Sequence, residues 1–285
     1  SGLNKVFYFS NIEHLKGNEG TDRFTFRGAY ELSSIDGDLG KNILDGCDAD
    51  TAWELTSDTS GTLRIQDNDQ PVKFSNIQVM NSGKGEDFLQ GPNQDNKWMI
   101  TGDDQGTLNG IHFKGMNNLI GGKGKDQFIF EGNFNLSGGV GLDGKTGGGS
   151  IVGPKGGSTW RIKSHGKGVI VQNGASHSIH FANINSLIGG DESDQFIFEG
   201  IASMENIDGG AGKNLLQGPD FDVIWSFNTK NSGAFQIEET IEVTSFSRIE
   251  TITAGNGENS LQGLRGRNDW RIDKDNGGVL NGIAF

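Results

Sequence analysis

Residues 36–46 read DGDLGKNILDG and residues 208–218 read DGGAGKNLLQG, and a tryptophan follows seven residues after the last glycine of each. The same spacing recurs around all five tryptophans of the chain, Trp53, Trp98, Trp160, Trp225 and Trp270. A glycine lies seven residues before each (Gly46, Gly91, Gly153, Gly218, Gly263) and another eight residues after (Gly61, Gly106, Gly168, Gly233, Gly278). A phenylalanine closes each unit (Phe74, Phe113, Phe181, Phe246, Phe285). A fixed spacing repeated along a chain is the signature of a repeat architecture.

The units between successive tryptophans differ in length by about 20 residues. Asp22 and Asn42 lie 20 residues apart, as do Asp194 and Asn214. Short segments such as FIF at 128–130 and 196–198, bounded by Gly, Asn and Asp, are typical of strands. The pattern predicts an all-β parallel β-solenoid, similar to a β-helix or β-roll, of about 14 coils of ~20 residues. We expect one array over residues 1–285, with Trp-bearing units at 36–75, 82–113, 143–181, 208–246 and 254–285.

Two expectations follow for the side chains. The Trp, Phe and aliphatic positions should stack inside the array, because the residue between two apolar positions varies freely from repeat to repeat, as an outward-facing strand position does. His180, for example, aligns with His112 and Lys73, which indicates a solvent-facing position. The glycines are expected to occupy turns that need a positive φ.

The composition excludes several classes of function. The chain has 47 Gly, only 4 Pro and a formal net charge of −13. Nucleic-acid binding requires clustered Lys and Arg, so no nucleic-acid partner is expected. No apolar run reaches the ~18 residues needed to span a bilayer, so no membrane insertion is expected. Because the sequence starts and stops within its own repeat, we expect it to be a fragment of a larger protein whose neighbouring repeats it contacts.

The segment GGKGKDQFI at 121–129 matches the nonapeptide GGxGxDxUx, and GGAGKNLLQ at 209–217 matches it with Asn in place of Asp. The chain thus resembles the RTX, or hemolysin-type calcium-binding, repeats. Its wider framework resembles repeat regions of large secreted bacterial adhesins and haemagglutinin-like exoproteins. The resemblance implies Ca²⁺ held by carboxylate and backbone oxygens, which suit a hard cation. It implies as ligands Asp22, Asp126 and Asp194, the backbone oxygens of Gly121, Lys123, Gly189 and Asp191, and Asn42 and Asn214 in the adjoining coils.

A structural interpretation of the same residues stays open. The nonapeptides are not in tandem, Gly149 stands beside Asp126 where an Asp would be expected, and Lys125 adjoins a candidate ligand. Asp and Asn side chains in turns also accept hydrogen bonds from backbone N–H groups. Under this alternative the same residues close turns and bind no metal.

No pattern of catalytic residues stands out from the repeat. The segment GVGLDGKT at 139–146 fits a phosphate-binding loop, but the Gly-rich stretch after it cannot start the helix that such a loop needs. We therefore expect a non-enzymatic structural or adhesive module of a secreted or cell-surface bacterial protein, with a surface glycan or protein as partner. The alternatives are a carbohydrate-active β-helix of lyase or epimerase type and a calcium-dependent RTX toxin or secretion segment.

Overall fold

A computed structural model describes residues 8–28, 31–68 and 70–285. The first half of the described chain forms strands β1 His14–Lys16, β2 Arg23–Thr25, β3 Ser34–Asp36, β4 Ile43–Asp45, β5 Thr51–Ser57, β6 Ser60–Ile65, β7 Val72–Ser75, β8 Val79–Asn81, β9 Phe88–Gln90, β10 Lys97–Gly102, β11 Gln105–Leu108, β12 Ile111–Lys114, β13 Asn118–Ile120, β14 Asp126–Phe130 and β15 Leu142–Asp143. The second half forms β16 Gly149–Val152, β17 Ser158–Ser164, β18 Lys167–Gln172, β19 Ile179–Ala182, β20 Ser186–Ile188, β21 Gln195–Phe198, β22 Asn206–Asp208, β23 Leu215–Gln217, β24 Val223–Thr229, β25 Ser232–Ile237, β26 Val243–Ser247, β27 Thr251–Thr253, β28 Asn259–Gln262, β29 Trp270–Lys274, β30 Gly277–Leu280 and β31 Ile283–Ala284. A single 3₁₀ turn at Lys145–Gly147 is the one helical element of the described residues.

The strands form two large, mostly parallel sheets of 17 and 14 strands, here called sheet A and sheet B. The chain passes from one sheet to the other and back, and each sheet contributes a face to one continuous apolar core. The 20-residue increment is visible directly, since His14 pairs with Ser34 in sheet A and Arg23 with Ile43 in sheet B. The all-β class with largely parallel pairing is confirmed, whereas the finer expectation of a solenoid of about 14 coils is not confirmed.

The five Trp units are not single coils but antiparallel meanders of three strands. The first is β5–β6–β7, and the others are β10–β11–β12, β17–β18–β19, β24–β25–β26 and β29–β30–β31. Each turns back between its first two strands through a two-residue connection such as Asp103–Asp104 or Lys230–Asn231. Asp104 and Asn231 adopt positive φ there, as tight hairpin turns require.

Successive meanders alternate between sheet A and sheet B. Each meander adds three strands to one sheet, so two in succession on the same side would make that sheet outgrow the other. The 20-residue increments preserve the alternation because each adds one strand to each sheet, as β3 and β4 do. This is a physical reason why the spacing between tryptophans grows by about 20 residues and not by half that amount.

The aromatic core is confirmed for four of the five tryptophans, whereas the expectation is wrong for Trp270, which is 45% exposed. Trp53, Trp98, Trp160 and Trp225 are almost completely buried, and His180 faces solvent as expected. Trp160 stacks on Phe196 of the following strand, with ring centroids 5.5 Å apart and an interplanar angle of 21°. Trp98 stacks on Phe128 in the same way.

The expected role of the spaced glycines is wrong, because none of those before or after the tryptophans has a positive φ. They are required by close contact instead. A Cβ on Gly153 would lie 2.5 Å from Cζ2 of Trp160, and one on Gly168 would lie 2.2 Å from the carbonyl oxygen of Arg161. The glycine before each buried tryptophan thus makes room for the indole, and the one after makes room for the neighbouring strand.

Candidate functional site

The candidate calcium ligands lie in a row of Asp and Asn residues, one at each tight turn that leads into a strand. We call this row the Asx ladder; its buried members are Asn42, Asp87, Asn96, Asp126, Asp194 and Asn214. Asp22 is half-buried at the start of the row. The row links successive turns, because the backbone N–H of Asp22 donates to Oδ1 of Asn42, and that of Asp194 to Oδ1 of Asn214.

The Asp126 carboxylate is enclosed by donors. Its Oδ2 accepts from the backbone N–H of Gly122 at 2.9 Å. Its Oδ1 accepts from Nδ2 of Asn96 at 2.6 Å, and the indole N–H of Trp98 lies 3.4 Å away. The carboxylate therefore joins its own turn to the preceding turn and to the tryptophan between them.

Asp194 has a similar arrangement beside Trp160 in the next meander, which lies in the other sheet. Its Oδ2 accepts from the backbone N–H of Gly190 at 2.8 Å. Its Oδ1 accepts from the backbone N–H of Ser158 at 2.8 Å and from the indole N–H of Trp160 at 3.2 Å. At Asp87 the indole connects through a hydroxyl, since Trp53 donates to Thr51 Oγ1, which in turn donates to Asp87 Oδ1.

At Asp126, Asp194, Asn42 and Asn214 the choice between Asp and Asn matches the direction of the peptides in the turn. Where the N–H four residues earlier points inward, as at Gly122 and Gly190, an Asp accepts it. Where carbonyls point inward, an Asn donates to them: Asn42 to Leu39 and Asn76, and Asn214 to Ala211 and Arg248. Asn214 in the GGAGKNLLQ segment is thus matched to its turn by hydrogen bonding.

Burial raises the pKa of the three buried carboxyls of the Asx ladder, Asp87, Asp126 and Asp194, above their ordinary value of 3.8. The cost of removing a carboxylate from water outweighs the hydrogen bonds that favour its charged form. At Asp45, the last residue of β4, the pKa shifts in the opposite direction. Burial also disfavours its charged form, but hydrogen bonds from Asn81, Arg23 and Thr25 hold its pKa below the ordinary value.

The structure brings the candidate calcium ligands together only in part. Asp22 adjoins Asn42 and Asp194 adjoins Asn214, while Asp126 pairs with Gly149, as the sequence alignment indicated. Gly121 and Gly189 are buried beside their carboxylates, whereas Lys123 and Asp191 are exposed at the turn tips. Within the described ranges, no three His, Cys, Asp or Glu side chains are grouped as a metal ion would need. Backbone N–H groups and a cation would compete for the same carboxylate lone pairs.

The structure also contains a surface cleft that the sequence analysis did not predict. It lies between the hairpin turn of the third meander and the loop that precedes the last strand of the fourth. His165 Nδ1 lies 2.7 Å from Ser203 Oγ, and the Ser203 hydroxyl donates to Glu242. Ile201 and Ile241 are exposed at its rim. Their separation in sequence gave no signal, because only the stacking of turns brings the three polar residues together.

Comparison with known proteins does not assign the chain to a family. No protein-family model matches the chain, and no curated protein matches it significantly. Among the described residues, no helix is long and apolar enough to cross a membrane.

Proposed function

We propose that the chain is a structural and adhesive repeat module of a large secreted bacterial surface protein, built as a solenoid-like array that meanders interrupt. The observation that supports this most directly is the inward use of its polar chemistry. In the second and third meanders the indole N–H and the ladder carboxylate are joined to each other inside the core, Trp98 to Asp126 and Trp160 to Asp194. Such equivalent units give length and rigidity without singling out one position for catalysis.

The outer surface fits the same proposal. The meander strands alternate buried and exposed positions, as in Thr51–Ser57. The outer face of each meander therefore presents mostly polar side chains to solvent. The net charge of −13 favours a soluble, self-repelling surface. The cleft bounded by Ile201, His165 and Glu242 breaks this regular surface and is the best candidate for adhesive contact.

Adhesion can be tested with the chain immobilised on beads against a glycan array and against host and bacterial cells. We expect selective retention that Ile241→Ser weakens at least tenfold, because this side chain is 95% exposed at the cleft rim. The matched control is Ile224→Ser, on an outward-facing strand position of the same meander. Silence on every surface would remove the adhesive part of the proposal. An unfolding force no higher than that of an unstructured chain, measured by single-molecule pulling, would remove the structural part.

Calcium stabilisation, with a role as a calcium-dependent secretion segment, is a second proposal. It rests on the GGKGKDQFI segment and on the net negative charge. The hydrogen bonds already made by the ladder carboxylates weigh against it. A calcium titration of the EDTA-treated chain, followed by circular dichroism, separates the two, since a folding cofactor raises the thermal midpoint with concentration.

A carbohydrate-active enzyme is the third proposal, and the polar trio of His165, Ser203 and Glu242 is what favours it. No Lys or Arg lines the described cleft, so it offers no cation for the carboxylate of an acidic sugar. Neutral and acidic polysaccharides should both be tried, with product detection by reducing ends and by unsaturated bonds. Activity lost in His165→Ala would support the enzyme; none on either substrate would eliminate it.

A further inference from the structure

The surface cleft between the third and fourth meanders is bounded by three separate segments. They are the hairpin turn of the third meander at Ser164 and His165, the residues 201–203 that lead into β22, and the loop 239–242 of the fourth meander. The cleft has a volume of about 570 Å³, which is within the range of small-ligand sites. It is therefore large enough to enclose a few side chains of a partner molecule.

The cleft has an apolar floor and an apolar rim. Phe235 and Ile237 of β25, which are buried residues of the core, form the floor. At the rim Ile201 is 63% exposed and Ile241 is 95% exposed. Transfer of such aliphatic side chains from water into contact with a partner is favourable. The floor and the rim together therefore favour a partner that brings apolar groups of its own.

Hydrogen bonds hold the loop that carries Ile241 in shape. The Thr240 hydroxyl donates to the carbonyl of Ile237 at 2.7 Å, and the side-chain amide of Gln236 donates to the carbonyl of Thr240. Glu239 adopts a φ of 63°, a left-handed conformation that is uncommon for residues of its type. Such backbone persists only where surrounding contacts fix it, and it is frequent at ligand sites. Ile241 is thus presented in one position, so a partner can bind it without the cost of ordering the loop.

The cleft is lined by two carboxylates and by no Lys or Arg. Glu239 and Glu242 are both exposed at its rim, whereas Lys163 and Lys167, which flank the hairpin turn, are not part of the lining. Oε2 of Glu242 accepts from the Ser203 hydroxyl, and none of the described residues donates a hydrogen bond to Oε1. A cation can therefore reach a carboxylate oxygen here. The net charge of −13 adds a general attraction for positively charged partners.

Three other classes of ligand fit this lining less well. An acidic sugar or a nucleic acid would bring negative charge to the two carboxylates. A neutral sugar needs unpaired hydrogen-bonding groups, and the polar groups of His165, Ser203 and Glu242 are already bonded to one another. A divalent metal ion needs several ligands, and within the described parts of the chain no three His, Cys, Asp or Glu side chains are grouped. The class that fits is an organic cation carried on an apolar body.

We infer that the cleft binds a basic, aliphatic segment of a partner protein. A lysine ammonium of the partner lies at the carboxylates of Glu239 and Glu242, and an aliphatic side chain lies between Ile201 and Ile241. The inference rests on the proposed adhesive role of this cleft and names the class of its partner. A lysine suits the site because its alkyl stem packs on apolar surface while its ammonium reaches a carboxylate. The opposite charges guide the approach of the partner, and the aliphatic contacts hold the complex.

Titration of the chain into short, fluorescently labelled synthetic peptides, followed by anisotropy, tests the inference. The probe peptide alternates lysine with isoleucine. One control peptide has glutamate in place of every lysine, and the other has serine in place of every isoleucine. We expect the probe to bind and both controls to bind at least about tenfold more weakly. The affinity for the probe should fall as NaCl is raised from about 0.05 M to about 0.5 M, because salt screens exposed charges.

Two variants locate the contact. Glu242→Gln removes one charge, while its amide oxygen can still accept from Ser203, so the circular dichroism spectrum should be unchanged. We expect it to weaken binding of the probe about three- to tenfold, and Ile241→Ser to weaken it at least about tenfold. The matched control is Glu54→Gln in the first meander. Glu54 is also exposed, also accepts one hydrogen bond, from Gln90, and its replacement changes the net charge equally, so this variant should bind like the unmodified chain.

The outcomes separate this inference from the adhesive proposal on which it rests. Probe binding that Glu242→Gln and Ile241→Ser leave unchanged would place the contact elsewhere and overturn the inference. Binding to phosphatidylcholine vesicles without binding to the probe would also overturn it, since the cation would then belong to a lipid headgroup. If the probe does not bind but cells or glycans still retain the chain through Ile241, the partner class is wrong and the adhesive proposal stands. If nothing binds, both are wrong.

Discussion

Replacement of Trp160 by alanine tests whether the buried indoles hold the array together. The side chain is fully buried, stacks on Phe196 at a centroid distance of 5.5 Å and donates its N–H to Asp194 at 3.2 Å. Removing it empties the space between two consecutive turns. It also takes one donor from a carboxylate that is itself buried.

The expected loss can be worked from these contacts. A buried aromatic side chain removes about 150–250 Å² from water, or roughly 4–6 kcal/mol at 25 cal/mol per Å². The alanine keeps a small part of this, so we expect Trp160→Ala to lower the free energy of unfolding by about 3–5 kcal/mol. Trp160→Phe keeps most of the apolar contact but loses the hydrogen bond to Asp194, and should cost about 1–2 kcal/mol.

The measurement should be local, because each repeat contacts only its neighbours and unfolding need not be two-state. Hydrogen exchange resolved to β17 and β21 reports the affected junction, while β5 and β6 provide an internal reference in the same molecule. Trp270→Ala is the matched control, since that indole on β29 is 45% exposed. The reasoning would be refuted if Trp160→Ala cost less than about 1 kcal/mol, or no more than Trp270→Ala.

Three further predictions concern the ladder and the glycines. In the folded chain the pKa of Asp194 is raised above 3.8, so the folded state binds this proton more tightly than the unfolded state does. The contribution of Asp194 to stability is therefore largest below about pH 3.8 and is lost as the pH rises through the folded-state pKa. Urea midpoints should therefore decrease from about pH 4 to pH 7, and less steeply in Asp194→Asn; an unchanged slope in the variant would assign the dependence to other groups. Gly153→Ala should cost about 1–3 kcal/mol by chemical denaturation, since its Cβ would lie 2.5 Å from Trp160, and Gly46→Ala, with 3.1 Å to Trp53, should cost less; equal costs would contradict the contact argument. Calcium added to the EDTA-treated chain should change the thermal midpoint by less than about 2 °C, and a concentration-dependent rise beyond that would instead support calcium as a folding cofactor.

The sequence predicted where the candidate turns lie but not which hydrogen bonds their Asp and Asn side chains make. The spacing of 20 residues correctly placed Asp22 beside Asn42 and Asp194 beside Asn214. Whether a turn needs Asp or Asn depends on the direction of peptides such as the one before Gly190, and that direction is a property of the folded backbone. The cluster of His165, Ser203 and Glu242 could not be predicted, because its members come from three separate turns.

The meanders were the largest feature missed. The expected parallel coils include no hairpin between Trp160 and Gly168, yet these residues lie on adjacent antiparallel strands, since Ile162 pairs with Gly168. A local signal was available: alternating residues on both sides of the short turn at His165–Gly166 are typical of a β-hairpin. The common repeat length hid it, because a hairpin and a coil can have similar lengths.

By itself the sequence determined the repeat, the all-β class, the burial of Trp53, Trp98, Trp160 and Trp225, and the 20-residue increment. These follow from spacing and from the alternation of side chains along a strand, which are local properties of the chain. Only the tertiary structure decided that the meanders alternate between two sheets and that the spaced glycines accommodate rings and carbonyls. Each of these depends on which strand lies beside which, and that arises from packing between segments distant in sequence.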